Sequence, residues 1–315
     1  MKRVLITGSR GFLGQHLCLS LLRDGYEVTG LDRSGKDRKP PSWWTLYPDS
    51  KPDQIQQVES DLGSCDQIRG VLEQQSYDFI LHLAGTAFVP EGWINTADVA
   101  VNNTVVPIRL FQAARDANFK GRIVFVSSGE VYGAKHPMPL REDFALEPEN
   151  PYAESKRSAE QYAGYFVSRG LDIVIARPFH QIGPGQNPAF VIPSFLCRIR
   201  DAAARGETEI QVGDLDAERD FLDVRDAARA YSIVAEKGIK GQAYNICSGR
   251  PVTIRRVLDL ALKVTGANLK PRIDPSLLRD GKSIRYGSCE KLMNLGWSSS
   301  VELEESIRDI WRSMQ

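Results

Sequence analysis

Short apolar runs alternate with longer amphipathic runs through the first half of the chain. The short runs lie at 4–6, 27–31, 79–83, 122–126 and 172–176. They are apolar at successive positions, which is typical of parallel strands buried on both faces. The longer runs, at 13–23, 64–74, 97–117 and 152–168, are predicted helices. This alternation predicts right-handed crossovers and an α/β fold with a doubly wound parallel sheet.

The rhythm changes after about residue 176, where prolines and glycines cluster and the later segments become shorter and more mixed. We expect residues 1–176 to build most of the sheet, with a late strand and helices from the C-terminal half. We expect residues 177–315 to form mainly a smaller region that closes over the carboxyl ends of the strands. The stretch 35–52, with four prolines and two tryptophans, is predicted to be a surface excursion.

The composition excludes several classes of function. The chain has 40 basic and 40 acidic residues, so no overall field would draw it to nucleic acid or to an anionic membrane. No apolar run approaches the ~18 residues of a membrane span, and the start is too briefly apolar for a signal peptide. The five cysteines have no C-x-x-C spacing, which argues against a disulfide framework or a metal site. We expect a cytoplasmic protein without a metal.

A glycine-rich segment follows the first predicted strand. Thr7-Gly8-Ser9-Arg10-Gly11-Phe12-Leu13-Gly14 has the spacing G-x-x-G-x-x-G and leads into the first predicted helix. A pyrophosphate must approach the backbone closely at a helix N-terminus, where N–H groups and the helix dipole favour anions. Side chains at Gly8 and Gly11 would block that approach, and Gly14 lets the helix pack on the strand. The segment therefore predicts a dinucleotide site with contacts from Gly8, Arg10, Gly11, Phe12, Leu13 and Gly14.

Acidic residues near the ends of the second and third strands are candidates for binding the adenosine half. Asp32 ends the second strand eighteen residues after Gly14, where a carboxylate can bind the ribose hydroxyls; otherwise it is a simple turn residue. Asp61-Leu62 is a second candidate, for the adenine edge. Asp32 would repel a 2′-phosphate and favours NAD, whereas Arg10 and Arg33 could bind one. We expect NAD(P)(H), with a slight preference for NAD.

A phenol and an amine lie four residues apart in Tyr152-Ala153-Glu154-Ser155-Lys156, on one face of a predicted helix. A tyrosine with an ordinary pKa near ~10 is a poor proton shuttle at neutral pH. A neighbouring ammonium and a nicotinium charge would both lower that pKa. Lys156 could also bind the nicotinamide ribose. The fifth strand ends at Ser127-Ser128, and the Ser128 hydroxyl is the expected partner of the substrate oxygen, with Ser127 a structural neighbour.

Together these segments resemble the extended short-chain dehydrogenase/reductase family. The resemblance also rests on His82-Leu83-Ala84-Gly85, on 128–133 and on Arg177-Pro178-Phe179, and it covers nearly the whole chain. It implies a Rossmann fold with a small C-terminal substrate region, and a homodimer formed through a four-helix bundle. It also implies a triad of Ser128, Tyr152 and Lys156, with Leu83, Ala84 and the supporting Asn103 at the cofactor. Val106-Pro107 replaces the Gly-Thr that usually follows that asparagine.

Within the family, 177–186 and 213–226 look most like GDP-4-keto-6-deoxy-D-mannose reductases. That resemblance implies a nucleotide-sugar substrate, with Arg219 and Arg279 on its phosphates or ribose, a role that suits a forked guanidinium. A surface ion pair is the alternative for Arg219, because acidic residues surround it. His180 replaces the usual asparagine and is either a packed loop residue or a direct ligand. The segment 280–282 departs from the usual Pro-x-Glu.

Two kinds of chemistry could use Tyr152. A reductase transfers hydride to C4 of a 4-keto sugar while Tyr152 protonates the oxygen, whereas an epimerase or dehydratase first oxidises C4. Related 4,6-dehydratases carry an acid or hydroxyl where this chain has Gly129, followed by the glutamate that is kept here as Glu130. The missing acid favours reduction. An epimerase, with Glu130 as base or as partner of a sugar hydroxyl, is the alternative; a non-catalytic dinucleotide sensor would be expected to lose Tyr152 or Lys156.

Overall fold

Parallel strands form the centre of the molecule. The computed structural model describes residues 1–33, 47, 52–278 and 284–315. Its strands are β1 (Arg3–Thr7), β2 (Glu27–Asp32), β3 (Gln56–Glu59), β4 (Phe79–His82), β5 (Arg122–Val126), β6 (Asp172–Pro178), β7 (His180–Ile182), β8 (Glu209–Val212), β9 (Glu218–Asp223), β10 (Ala243–Ile246), β11 (Pro251–Thr253), β12 (Lys270–Ile273) and β13 (Ile284–Arg285).

The main sheet has seven strands in the order β10-β6-β5-β4-β1-β2-β3. Every neighbouring pair is parallel, so all the carboxyl ends lie at one edge. The order reverses between β1 and β4, which makes a topological switch point at that edge. The prediction of a doubly wound α/β sheet is confirmed, including the five predicted strands.

Helices connect the strands and cover both faces. They are α1 (Phe12–Arg23), α2 (Cys65–Gln74), α3 (Glu91–Ile94), α4 (Thr96–Ala100), α5 (Val106–Asp116), α6 (Pro151–Ser168), α7 (Val191–Ala204), α8 (Val224–Lys237), α9 (Ile254–Thr265), α10 (Glu290–Met293) and α11 (Leu303–Ser313). No described helix combines the length and apolar character that a membrane crossing needs.

Two apolar layers enclose the sheet. On one face, α1 and α8 bury residues such as Leu17, Leu21 and Tyr231 against the strands. On the other face, α2, α5 and α6 contribute a second cluster that includes Phe111 and Phe166. The strands are buried on both sides, which is why their sequences are continuously apolar.

A third apolar cluster lies outside the main sheet. It joins α7, α9 and α11 with β8 and includes Leu196, Val212, Leu258 and Ile310. Small sheets border it. In one of them β9 pairs with β11, β13 and β7, and in another β12 pairs with β8. The later half of the chain thus supplies this separate core as well as β10 and α8 of the main sheet.

The predicted helix at 97–117 is interrupted by one π-helical turn, Val101–Val105, between α4 and α5. Pro107 follows it in the first turn of α5. Because proline has no N–H, it cannot donate to the carbonyl of Asn103, and the regular i→i−4 ladder is broken there.

Most of the predicted surface excursion at 35–52 lies outside the described residues. Tyr47 is described: its side chain is buried, and its hydroxyl oxygen lies 2.9 Å from His16 Nδ1.

Candidate active site

The candidate site lies where the strands end. In register, Thr7 at the end of β1 is beside His82 of β4, and His82 is beside Phe125 of β5. Because these strands are parallel, the segments that follow them meet at one edge. The structure brings together there the glycine segment, the segment after β4, the Ser127-Ser128 end of β5 and the start of α6.

The glycine segment forms a tight turn between β1 and α1. Gly8 has a φ of +73°, and an added Cβ would lie 2.9 Å from the backbone nitrogen of Ala84. At Gly14 an added Cβ would lie 2.2 Å from the Gly8 oxygen. Position 8 therefore requires glycine because of its positive φ and because the segment after β4 lies so close. Position 14 requires glycine because α1 packs closely on the turn at Gly8. At Gly11 the nearest atom to an added Cβ is the Gly8 oxygen, at 3.1 Å.

The N-terminus of α1 is suited to binding an anion. Gly11 is its N-cap and has no side chain to accept a hydrogen bond from the first turn. The N–H groups of a first turn have no helical acceptor, and the helix dipole adds a partial positive charge there. The turn also contains Phe12 and Leu13, which are partly buried, so the backbone rather than bulky side chains faces the phosphate position.

Asp32 is bound to the glycine segment. Its carboxylate accepts hydrogen bonds from the backbone N–H of Arg10, at 3.2 and 3.3 Å, and from the Ser9 hydroxyl. Gly30 makes room for that hydroxyl, because an added Cβ would lie 2.3 Å from it. A carboxylate has about four lone-pair sites, so Asp32 keeps capacity for ribose hydroxyls. Arg33 follows it and is exposed.

The other cofactor candidates, Asp61-Leu62 at the adenine edge and Leu83-Ala84 after β4, differ in their surroundings. Asp61 is exposed and accepts a hydrogen bond of 2.9 Å from the N–H of Gly63, as an acid in a turn does. Leu62 is buried in the core beneath it. Leu83 and Ala84 are partly buried and join β1 through hydrogen bonds to Thr7 of 3.2 and 3.3 Å.

Tyr152 lies in the first turn of α6, directly opposite the end of β5. Asn150 caps this helix by accepting from the N–H of Ala153 at 2.8 Å. The Ser128 hydroxyl hydrogen-bonds with the Tyr152 phenol, and burial raises the pKa of that phenol to about 12 despite this contact. In contrast, Ser127 Oγ is buried and has no hydrogen-bond partner in the described structure. Geometry therefore selects Ser128 over Ser127 as the neighbour of the tyrosine.

Lys156 lies one turn further along α6. Its Nζ is buried and donates to the carbonyl of Val126 at the end of β5, at 2.9 Å. Burial lowers its pKa to about 8. An added Cβ on Gly85 would lie 3.5 Å from Nζ, so the amine borders the open segment after β4. The sequence argument expected the ammonium to lower the pKa of Tyr152; in the protein alone, burial is the larger effect.

Asn103 supports this site from inside the π-helical turn. It is fully buried, and its amide pairs with Thr86 in both directions: Oδ1 accepts from the N–H at 2.9 Å, and Nδ2 donates to the carbonyl at 3.1 Å. An added Cβ on Gly85 would lie 2.7 Å from Asn103 Oδ1. Asn103 therefore holds the backbone segment that Lys156 borders.

Glu130 has a partner that the sequence analysis did not find. Its Oε2 lies 2.9 Å from Nη1 of Arg285, and Nη2 of the same arginine lies 3.3 Å from Glu149. Arg285 belongs to β13, far along the chain from Glu130. No spacing rule links it to Glu130, so this ion pair is visible only in the folded protein.

Arg219 and His180 lie beside that ion pair. Arg219 in β9 is the register partner of Arg285 and donates to the carbonyl of Glu218 at 2.8 Å. His180 in β7 is the register partner of Phe221. Burial lowers the pKa of His180 to about 4, opposed by Glu130 and reinforced by both arginines, and its Nδ1 is buried without a partner in the described structure. Arg279 and 280–282 lie outside the described residues.

Comparisons with known proteins agree with this geometry. Residues 4–247 match the NAD dependent epimerase/dehydratase family. The GDP-6-deoxy-D-mannose reductase of Pseudomonas aeruginosa is 33% identical, over 99% of this chain and 98% of that protein. The UDP-glucose 4-epimerase of Mycolicibacterium smegmatis is 30% identical, over 97% and 96%.

A solved structure shows the same fold at full length. RMD from Pseudomonas aeruginosa, complexed with NADPH, has a TM-score of 0.82 and 30% identity, covering 99% of this chain and 98% of that one. The tight glycine turn, the N-terminus of α1 and the buried Lys156 of this chain fit a nicotinamide dinucleotide. The chain therefore belongs to the NAD dependent epimerase/dehydratase family, the extended short-chain dehydrogenases/reductases, and is an NAD(P)-dependent oxidoreductase whose relatives act on nucleotide sugars.

Proposed function

We propose that this enzyme reduces the C4 keto group of a nucleotide-linked 4-keto-6-deoxyhexose, with GDP-4-keto-6-deoxy-D-mannose as the favoured substrate. The observation that carries the proposal is the ion pair between Glu130 and Arg285, which engages the carboxylate that a dehydratase, or an epimerase acting at C3 or C5, would use as a base. The similarity to a GDP-6-deoxy-D-mannose reductase supports the same choice of substrate class.

The position before Glu130 also favours reduction. Dehydration needs an acid–base pair at adjacent carbons of the sugar. An added Cβ on Gly129 would lie 3.0 Å from the ring of Phe179, so the ring fills the space of a side chain there. An acid at this position would have to displace Phe179. Glu130 is then best placed to accept hydrogen bonds from a sugar hydroxyl beside the guanidinium of Arg285.

Tyr152 supplies the proton in this mechanism. When bound, the reduced dinucleotide supplies the hydride for C4. The Ser128 hydroxyl, which contacts the phenol, would orient the C4 oxygen, and the phenol would donate its proton to that oxygen. The ammonium of Lys156 would stabilise the resulting phenolate and bind the nicotinamide ribose. The hydrogen bond to the carbonyl of Val126 holds the Lys156 amine at the end of β5.

In this proposal, the nucleotide part of the substrate is bound by Arg219, His180 and Arg279. Arg219 is the strand-register partner of Arg285, and a forked guanidinium group favours an anion such as a diphosphate. His180 is uncharged at neutral pH because burial lowers its pKa to about 4. We therefore assign it a hydrogen bond to the substrate rather than a charge interaction.

We propose NAD(H) as the preferred cofactor, because the side chain of Asp32 would repel a 2′-phosphate. Gly8, Arg10, Gly11, Phe12, Leu13 and Gly14 would surround its pyrophosphate, with Leu83, Ala84 and Asn103 towards the nicotinamide and Asp61-Leu62 towards the adenine. The alternative is NADP(H), with Arg10 and Arg33 on the 2′-phosphate; the related RMD structure is complexed with NADPH. The assay below compares both dinucleotides.

We also propose a homodimer. Large apolar side chains are exposed on adjoining helices: Trp93 is 65% and Ile94 72% exposed on α3, and Tyr162 and Tyr165 are 47% and 51% exposed on α6. Exposed apolar clusters of this kind are typical of subunit interfaces. A second copy packing its own α5 and α6 there would form the expected four-helix bundle.

The cytoplasmic location expected from the sequence stays a prediction.

The direct test is spectrophotometric. NADH and NADPH oxidation is followed with GDP-4-keto-6-deoxy-D-mannose and with its dTDP and UDP counterparts. Stoichiometric oxidation with the GDP sugar, and weaker oxidation with the others, is the expected result. No net oxidation, but formation of a new sugar isomer with catalytic NAD, would establish an epimerase and overturn the proposal.

A further inference from the structure

Cys247 and Cys289 are distant in the sequence and adjacent in the fold. Cys247 follows β10, and Cys289 is the N-cap of α10. An added Cβ on Gly287 would lie 2.8 Å from the sulfur of Cys247, and an added Cβ on Gly249 would lie 2.9 Å from the sulfur of Cys289. Each sulfur therefore lies against the glycine two residues from the other cysteine. The Cys289 thiol donates to the carbonyl of Ser248, the residue after Cys247, at 3.7 Å.

A buried carboxylate holds the two cysteine segments together. Asp220 of β9 accepts hydrogen bonds from the N–H groups of Ser248 at 2.7 Å, Gly249 at 2.9 Å and Gly287 at 3.4 Å. It also accepts from the Ser248 hydroxyl at 2.6 Å. One side chain thus binds the backbone beside both cysteines, so their proximity is built into the fold.

The two sulfurs differ in exposure and reactivity. Cys289 is partly exposed, and the neighbouring Cys247 side chain lowers its pKa to about 7. Cys247 is fully buried, and burial raises the pKa of its thiol. The thiolate is the form of cysteine that reacts with oxidants. Cys289 therefore has the properties of the attacking sulfur, and Cys247 those of the resolving sulfur.

We propose that Cys247 and Cys289 form a redox modification site at which hydrogen peroxide produces an intramolecular disulfide. The Cys289 thiolate attacks the peroxide, breaks its O–O bond and becomes a sulfenic acid, while the released hydroxide takes up a proton as water. The Cys247 sulfur then attacks the sulfenic sulfur, the S–S bond forms, and the second oxygen leaves as water. Two thiols are oxidised by two electrons, and one peroxide is reduced to two waters.

Peptide mapping tests this proposal on the full-length enzyme. The protein is treated with hydrogen peroxide, alkylated and digested without reductant, and the linked peptides are identified by mass spectrometry. The expected product joins Cys247 to Cys289, disappears after reduction with dithiothreitol, and is absent from Cys289→Ser. The matched control Cys197→Ser, on α7, keeps it. Oxidation of Cys289 to sulfinic or sulfonic acid without this linked peptide would overturn the proposal.

A second measurement separates the roles of the sulfurs. Cys247→Ala removes the resolving thiol, so dimedone should label a persistent sulfenic acid at Cys289 in this variant and much less in the wild type. Circular dichroism confirms that the variant is folded; if it is not, Cys247→Ser replaces it. Equal labelling of the two proteins would contradict the resolving role. Neither measurement depends on the sugar substrate, so this inference and the proposed function can fail separately.

Discussion

Arg285 Nη1 lies 2.9 Å from Glu130 Oε2, across 155 residues of sequence. The two side chains are only 21% and 23% exposed, so water screens their attraction less than at an open surface. At the proposed sugar site, the carboxylate of Glu130 is therefore paired with a guanidinium group. The sequence alone left two roles open for Glu130, a base or the partner of a sugar hydroxyl. It also connects β13 to the segment that carries Ser128.

Arg285→Ala should impair use of the sugar substrate. Removing the guanidinium leaves Glu130 as an unpaired carboxylate near a diphosphate-bearing ligand, so we expect kcat/KM to fall by about 10-fold or more, or ~1.4 kcal/mol. The dinucleotide Kd should not change. The exposed Arg272 pairs with Glu209, and Arg272→Ala is the control that should behave as wild type. An unchanged kcat/KM in Arg285→Ala would contradict this role.

Tyr152→Phe should abolish most turnover and preserve cofactor binding. The change deletes the proton donor but keeps the ring, and general acid catalysis contributes about 10²–10⁴-fold. Stopped-flow oxidation of the reduced dinucleotide and a fluorescence titration measure the two properties. Tyr26→Phe, which removes a phenol just before β2 at the opposite edge of the sheet, is the matched control. Near-normal turnover in Tyr152→Phe would exclude the mechanism.

Asp32→Ala should shift preference from NAD towards NADP. The carboxylate both holds the glycine segment through Arg10 and opposes a 2′-phosphate. We expect the ratio of kcat/KM for NADH over NADPH to fall by about 10-fold, equivalent to ~1.4 kcal/mol. Asp66→Ala, an exposed acid at the start of α2, should leave the ratio unchanged. The same ratio in both variants would show that Asp32 does not discriminate between the dinucleotides.

Lys156 should make stability depend on pH in the alkaline range. Burial lowers its pKa from 10.5 to about 8, so between these values the unfolded chain binds more protons at this site than the folded protein. Stability rises with pH wherever the unfolded state binds more protons. The difference in unfolding free energy between the wild type and Lys156→Met should therefore move in favour of the wild type from pH 8 to 10.5. Parallel urea titrations measure it, and a constant difference would refute the shift.

Glu160→Ala should destabilise the fold strongly. Arg177 and Glu160 form two hydrogen bonds of 3.0 and 2.7 Å, with side chains only 7% and 4% exposed. Removing one partner leaves a buried unpaired charge, which costs about 3–5 kcal/mol. Glu207→Ala breaks an exposed pair with Arg205 and should change the free energy of unfolding little, because solvent screens that pair. Urea unfolding compares the two, and similar losses would contradict a special role for the buried pair.

Much of the dinucleotide half was readable from the sequence because its signals are local. Continuous apolar runs arise wherever a strand is covered on both faces, and the spacing of Gly8, Gly11 and Gly14 reflects one turn and one helix start. Tyr152 and Lys156 share a helix face because of the helical period. Each of these relationships involves residues close in the chain, so backbone geometry alone determines them.

The substrate side depended on contacts between distant segments. Arg285 reaches Glu130 only because β13 aligns with β9, and Phe179 fills the space at Gly129 only because β6 ends beside β5. The pairing of Cys247 with Cys289 likewise requires Asp220 to bind both segments. No periodicity or spacing encodes which remote strand lies alongside another. The sequence by itself therefore determined the fold class and the chemical family, whereas the tertiary structure decided which charges and sulfurs meet.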